Sequence, residues 1–297
     1  MLVHQNAHPV PPSRVFVLGS RGFLAGNLKH HFKAVGIEVH AAGSETLDLL
    51  DDSAGEKLAG QLRPDDALIV TSGLTPEKGR DLATFARNLR MVDHVAAALA
   101  IKPCAHLGYF SSDAVYDWRQ SLVSESIAPS PTDLYSLMHI AREKMLSHIC
   151  EAGRIPFCVI RPSAIYGAGD THNGYGPNRF IRTAITERKI RLFGGGEETR
   201  DHIYIDDVVN LTDLIIRHRS TGVINAVSGR SVPFGILADM VAALSREPVE
   251  IESLPRSGAI THRTFDSTGM YRSFPKHRPT RLEEGLIATF QQMTANS

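Results

Sequence analysis

Arg14-Val15-Phe16-Val17-Leu18 runs directly into Gly19-Ser20-Arg21-Gly22-Phe23-Leu24-Ala25-Gly26, after which Leu28, Phe32 and Val35 recur at helical spacing. Gly36 closes that helix, and Ile37 to Ala42 reads as a second strand. The segment is therefore a βαβ unit of about the ~30-residue size such units have. Its glycines have separate physical jobs. Gly19 permits a tight turn, Gly22 lets the backbone approach a pyrophosphate, and Ala25 or Gly26 allows the helix to pack closely on the strand. The pyrophosphate would rest on the helix N-terminus at Phe23 and Leu24, where unpaired N–H groups and the helix dipole favour an anion. A dinucleotide site is the reading this placement supports; the competing one is a purely structural turn.

An acid at the end of the second strand hydrogen-bonds the adenosine ribose and repels a 2′-phosphate. Gly43 and Ser44 stand there, so no acid is expected at that position. Arg21 can offer a cation, which favours NADP, with NAD as the alternative; a solvated Arg21 is the bland reading.

Strand and helix patterns then alternate. Residues 66–73 and 106–112 read as strands, Asp81 to Ala100 as an alanine-rich helix, Pro131 to Cys150 as another helix, and Phe157 to Pro162 as a strand. This is the pattern of an α/β, doubly wound parallel (Rossmann) sheet, with ligands at the carboxyl ends of the strands. The glycine-rich stretch from Gly167 to Gly176 breaks it. We expect a loose, disordered tail over residues 1–13, a dinucleotide-binding domain over 14–166 rejoined by segments near 200–228, and a smaller C-terminal α/β substrate-binding region from 167–199 and 229–297.

With 42% hydrophobic and 22% charged residues in 297, the chain can build a sizeable core. Its 32 basic and 32 acidic residues balance, and no basic tract suggests nucleic acid as a partner. Cys104, Cys150 and Cys158 are odd in number and lack C-x-x-C spacing, so neither a disulfide framework nor a metal site is indicated, and a reducing cytoplasm fits best. No apolar run has signal-peptide or membrane-spanning length.

Asp133 can cap a helix on which Leu134, Leu137, Met138, Ala141, Met145 and Ile149 recur until Gly153. Tyr135 and His139 then stack one turn apart. Taken alone they read as a core pair.

Together these residues resemble the extended short-chain dehydrogenase/reductases, the nucleotide-sugar epimerase, dehydratase and ketoreductase group. The resemblance spans about Arg14 to Phe290. It rests on the glycine loop, Asp48-Leu49, Asn88 after the Ser72-Gly73 turn, Ser111-Ser112-Asp113-Ala114-Val115-Tyr116, Tyr135 with its helix, and Arg161-Pro162-Ser163-Ala164-Ile165-Tyr166-Gly167. Its most specific piece is Leu192-Phe193-Gly194-Gly195-Gly196-Glu197-Glu198-Thr199-Arg200-Asp201-His202-Ile203-Tyr204-Ile205-Asp206-Asp207-Val208. The resemblance implies cofactor contacts from Gly19, Arg21, Gly22, Phe23, Leu24, Ser44, Asp48, Ser72, Gly73 and His139. It implies catalysis by Ser112 and Tyr135 with His139 and Asp113, and substrate binding by Arg200, Ser112, Asn178 and Arg179. Arg200 would grip the diphosphate of a nucleotide-linked sugar, since a guanidinium fork binds oxygens bidentately; a salt bridge to a neighbour such as Asp206 is the alternative. A homodimer through the 81–100 and 131–150 helices is implied as well.

Two departures narrow the expectation. The family lysine four residues after the tyrosine is His139 here, which supplies less charge, and Lys144 lies on the opposite helix face. The family's 4,6-dehydratases carry Asp-Glu where this chain has Asp113-Ala114, and the double epimerase-reductases a cysteine at Ala114 and a histidine near Arg179. Oxidation and reduction at one sugar carbon, C4, is what remains: a 4-epimerase or 4-ketoreductase using NADP or NAD. The alternatives are a dinucleotide-binding sensor with weakened catalysis and a reductase of a small keto compound.

Overall fold

The computed structural model describes residues 2–256 and 258–295. From the N-terminus come β1 (Val3–His4), β2 (Arg14–Leu18), α1 (Phe23–Ala34), β3 (Glu38–Ala42), α2 (Ala54–Gln61), β4 (Asp66–Val70), α3 (Leu82–Ile101), β5 (His106–Phe110), β6 (Leu122–Val123), α4 (Leu134–Gly153) and β7 (Phe157–Pro162). They are followed by β8 (Ala164–Tyr166), α5 (Pro177–Glu187), β9 (Lys189–Phe193), β10 (Thr199–Tyr204), α6 (Ile205–Arg217) and β11 (Ser220–Ala226). The chain continues through β12 (Ser231–Pro233), α7 (Phe234–Ala242), β13 (Glu250–Leu254), β14 (Thr264–Phe265), α8 (Thr268–Ser273) and α9 (Leu282–Ala295).

Every residue of β2, β4 and β5 is buried, as expected of apolar strands covered by helices on both faces. They form the centre of a seven-stranded sheet ordered β1-β11-β7-β5-β4-β2-β3, parallel throughout except for β1. α1 and α6 pack together, and their core includes Leu28, Phe32, Ile69, Ile160 and Ile215; α2, α3 and α4 pack on a second core with Leu18, Leu68, Val70, Val92 and Leu146. The order reverses at β2, whose neighbours are β3 and β4, so the crevice beyond its carboxyl end is the switch point where such sheets bind ligands. Smaller sheets, β12-β10-β8, β13-β9 and β14-β6, accompany the seven-stranded one, and α5 packs on α7.

Local chemistry sets the helix starts. Asp81 accepts from the Thr84 N–H at 2.8 Å and starts α3. The Asp133 carboxylate accepts from Ser136 N–H at 2.8 Å, and the Asp133 N–H donates to Ser136 Oγ at 3.1 Å. That reciprocal cap leaves Pro131 and Thr132 outside α4, which then runs three residues beyond the expected Cys150 to Gly153.

The expected loose tail is a correction. Val3 and His4 pair antiparallel with Thr221 and Ser220 on the free edge of β11. The Gln5 and Asn6 N–H groups both donate to the His218 carbonyl, and His4 reaches Ser220 Oγ and the Ser273 carbonyl at 2.8 and 3.0 Å. An open sheet edge, more than 200 residues away in sequence, provides what local pattern could not foretell.

Candidate active site

At the end of β2, Gly19 has φ +101°, and a Cβ there would stand 2.7 Å from Thr71 Oγ1 and 2.9 Å from the Ser72 nitrogen. Only glycine allows the chain to turn that close to β4. Gly22 is the N-cap of α1 and provides no side-chain cap, so the first-turn N–H groups at Phe23 and Leu24 face outward for an anion. Of the two packing alternatives, Ala25 is fully buried, whereas a Cβ on Gly26 would meet nothing within 4 Å. Ala25 therefore makes the close helix contact.

Gly43 and Ser44 close β3 without an acid, as the sequence reads, but an acid from the following turn reaches the glycine loop. Glu45, two residues beyond Gly43, folds back so that its carboxylate accepts from Ser20 Oγ at 3.2 Å and pairs with Arg21 Nε at 3.1 Å. Arg21 also donates to Ser44 Oγ at 2.6 Å. Glu45 is held below the usual carboxylate range by its backbone hydrogen bond, with Ser20 and the Arg21 charge adding to it. Arg21 is thus already neutralised by an acid that points at the glycine loop. Asp48 accepts from the Leu50 N–H at 3.0 Å and shapes the turn into α2.

α4 meets the turns after β4 and β5: Arg142 donates to the Ser72 carbonyl at 2.7 Å, and Tyr135 lies within hydrogen-bonding reach of Ser112. Burial pushes the Tyr135 phenol up to about 12, the Asp113 charge adding to it, while the Ser112 hydroxyl and the Arg142 guanidinium act in the opposite direction. The Tyr135 and His139 rings meet edge to face at 4.7 Å. His139 Nδ1 lies 2.9 Å from Tyr109 Oη, and burial, with Arg142 nearby, pushes the imidazole down to about 3, so it is neutral at pH 7. When Tyr109 donates to Nδ1, Nε2 carries the ring proton. His139 Nε2 and Ser72 Oγ are both buried without a protein partner. Orphaned donors beside a glycine cradle fit a dinucleotide whose ribose hydroxyls complete them.

The floor of this cluster is a buried ion pair. Arg161 donates to Glu143 through Nε at 3.0 Å and Nη2 at 2.6 Å, Ser111 Oγ donates to the same carboxylate at 2.5 Å, and Arg161 Nη1 reaches Tyr116 Oη at 2.9 Å. It ties α4 to the strand ends that carry Ser112.

Asp113 is not a free acid. Its carboxylate sits 3.2 Å from Arg263 Nη1, and burial raises its pKa against the pull of Arg263 and Arg200. Arg263, 1% exposed, also donates to the Tyr116 and Asp117 carbonyls at 2.9 and 3.1 Å. Arg200 makes no ion pair with Asp206. It donates to the Thr199 and Thr261 carbonyls at 2.8 Å each and to Thr261 Oγ1 at 2.6 Å. The guanidinium carbons of Arg200 and Arg263 lie 5.6 and 4.2 Å from the Trp118 ring, so two cations share one aromatic wall near Asp113.

Of the remaining expected substrate contacts, Asn178 is directed elsewhere. It accepts from Gly167 N–H at 3.1 Å and donates to Asp170 at 2.7 Å, latching the 167–176 loop; Arg179 is half-buried on α5. Glu45, Trp118, Arg142 and Arg263 are the residues that sequence reading missed. Glu45 was within reach, since an acid three places beyond a strand can fold back; the others are assembled from distant segments. A groove of about 780 Å³ lies behind α4, among Glu125, Ile140, Lys144, Ser147, Arg154 and Val223, and touches neither the glycine loop nor Tyr135. Among the described residues no helix is long and apolar enough to cross a membrane.

A family model described as the NAD dependent epimerase/dehydratase family matches residues 15–227. Solved structures show the same fold at low identity. The UDP-N-acetylglucosamine 4-epimerase from Methanobrevibacter ruminantium, in complex with UDP-N-acetylmuramic acid, is 19% identical with a TM-score of 0.84, over 97% of this chain and 100% of that one. The Thermus thermophilus UDP-glucose 4-epimerase complex with NAD is 19% identical with a TM-score of 0.82, over 96% and 100%. An NAD-dependent NDP-hexosamine 5,6-dehydratase involved in tunicamycin biosynthesis is 20% identical with a TM-score of 0.83, over 96% and 98%.

Proposed function

Because the chain belongs to the NAD dependent epimerase/dehydratase family, we propose that it oxidises and reduces one carbon, C4, of a nucleotide-linked sugar, as a 4-epimerase or 4-ketoreductase. The observation that carries this reading is the convergence of Ser112, Tyr135 and the unpartnered Nε2 of His139 on α4, the helix whose Arg142 holds Ser72, the residue that abuts the Gly19 turn. NAD would supply the hydride acceptor and donor. Glu45 favours NAD over NADP, because a carboxylate facing the glycine loop accepts ribose hydroxyls and repels a 2′-phosphate.

Each residue then has a task. Ser112 Oγ orients the reacting hydroxyl or carbonyl, and Tyr135 Oη takes or gives its proton. A phenol held near 12 is scarcely ionised at neutral pH, so turnover rises toward alkaline pH as phenolate forms. His139 Nε2 and Ser72 Oγ, both buried without a protein partner, would hold the ribose hydroxyls of the dinucleotide. Arg200 offers its remaining donor directions to the diphosphate, with Trp118 and Arg263 closing that end. Dehydration is disfavoured, since Asp113 is paired with Arg263 and Ala114 offers no base. We propose a homodimer through α3 and α4, whose outward Leu82, Ile101 and Leu137 are exposed apolar side chains; light scattering on the purified protein tests it.

The test is to incubate the protein with UDP-glucose and NAD, following sugar configuration by proton NMR and reduced nicotinamide by absorbance. Epimer formation without net cofactor turnover identifies an epimerase, and stoichiometric consumption of NADH with a 4-keto sugar identifies a reductase. Tyr135→Phe is expected to abolish either; full turnover by that variant refutes the proposal. Arg200→Ala should weaken sugar-nucleotide binding and leave NAD binding unchanged. Unchanged sugar-nucleotide affinity in Arg200→Ala overturns the diphosphate role of Arg200, and failure of the wild type to bind any sugar nucleotide favours a small keto substrate.

A further inference from the structure

Arg142 lies three residues beyond His139 and seven beyond Tyr135, on the same face of α4. It is 1% exposed and forms no salt bridge among the described residues, since the adjacent acid, Glu143, is engaged by Arg161 and Ser111. Its bonds go to neutral groups. Nη2 donates to the Ser72 carbonyl at 2.7 Å, Nη1 to Asn88 Oδ1 at 3.5 Å, and the guanidinium lies 5.3 Å from the Tyr109 ring centre; Nε has no partner. Buried charges are ordinarily paired, because desolvation penalises them steeply. A guanidinium left without a counter-ion inside a site that handles protons requires an explanation other than packing.

The neighbouring charges indicate one. Asp113, from the turn after β5, and Asp133, at the start of α4, both oppose a phenolate at Tyr135, and Arg142 is the cation that favours it. Tyr109 from β5 and His139 from α4 are neutral at pH 7. Arg80 and Asp81, from the segment entering α3, line the adjoining cleft with one charge of each sign. Lys144 faces the groove on the far side of α4.

We infer that Arg142 is the positioning cation of this acid–base site: it sets a fixed positive charge against the Tyr135 phenolate, and its grip on the Ser72 carbonyl fixes the cofactor wall beyond β4. The inference rests on Tyr135 being the proton carrier. It explains how a tyrosine followed at the next turn by an uncharged histidine retains a cation. Burial keeps His139 in the neutral form, and Arg142 adds to it, because a second positive charge beside it is disfavoured. An arginine suits the task better than a lysine, since it stays protonated when buried.

The experiment is an ultraviolet pH-jump titration on NAD-loaded protein in a stopped-flow instrument. Phenolate absorbance is taken as wild type minus Tyr135→Phe, which isolates the Tyr135 midpoint. Arg142→Gln, which keeps hydrogen bonding and removes the charge, is expected to raise that midpoint by about one pH unit, tenfold less phenolate at a given pH below it. Arg142→Lys should return the midpoint most of the way. Asn88→Asp, which places a carboxylate at Nη1 and leaves the arginine in place, should raise the midpoint as well, and it serves if Arg142→Gln does not fold by far-ultraviolet circular dichroism. An unchanged midpoint in folded Arg142→Gln or Asn88→Asp overturns the inference and leaves Arg142 as packing. If instead Tyr135→Phe turns over UDP-glucose like the wild type, it is the proton-carrier reading that fails, whichever way the titration falls.

Discussion

Replacing Arg161 by methionine is expected to destabilise the protein by about 3–5 kcal/mol, the range for stranding one member of a buried ion pair. The geometry supports the upper part of that range. The pair is bidentate at 3.0 and 2.6 Å, with side-chain exposures of 5% and 9%. The substitution leaves the buried Glu143 carboxylate with Ser111 Oγ as its remaining hydrogen-bond partner, and it removes the donor to Tyr116 Oη, which keeps its own bond to Asn225 Oδ1 at 2.9 Å. Removing both charges in Arg161→Met/Glu143→Leu should recover most of the loss, apart from about 1 kcal/mol for Ser111 losing its acceptor. Urea unfolding of the wild type, both single variants and the double variant closes a double-mutant cycle, with the midpoints compared at constant m. A single-variant loss below about 1 kcal/mol, or a double variant as unstable as the sum of the singles, would refute the reasoning. Activity adds a second readout. Ser111 precedes Ser112 and Glu143 shares α4 with Tyr135, so kcat should fall in Arg161→Met beyond the loss of folded protein, while NAD affinity changes little.

Three further outcomes are expected. Gly19→Ala forces a Cβ to 2.7 Å from Thr71 Oγ1 at φ +101°, a strain of roughly 1–3 kcal/mol at the cofactor turn, so calorimetry should find NAD binding at least about tenfold weaker; unchanged affinity would mean that the turn can move aside. Glu45→Gln should narrow the preference for NADH over NADPH by about tenfold, on the order of one like-charge contact near the surface, in a direct comparison of the two dissociation constants. Acid should act on the buried imidazoles of His106, His139 and His202, which burial depresses to about 4, 3 and 3. Their folded pKa lies below the unfolded 6.5, so the unfolded chain holds more protons as pH falls below 6.5, and each histidine removes about 1.4 kcal/mol of stability per pH unit until its folded pKa is reached. Urea midpoints from pH 7 to 4 should drop accordingly and drop less steeply in His202→Phe; identical slopes would show that this imidazole is solvated.

What a residue does through its immediate neighbours in the chain was legible in the sequence. The Gly19 turn, the alternation of strands and helices, the Asp133 cap and the Tyr135–His139 stacking all follow from backbone geometry and side-chain period over a few residues. Where the chain had to fold back, the sequence was silent. Asn88 and Asp133 sit where their spacing suggests, but Glu45 turns to Ser20, Arg263 crosses to Asp113, and Val3–His4 finds the edge of β11. Arg142 reads from spacing alone as one more polar residue of a core helix; its burial against Ser72, without a counter-ion, exists only after α4 has docked on α3 beside the turn that follows β4. Charge balance and unsatisfied polar atoms are properties of the space between elements, and that space is defined only when the elements have packed.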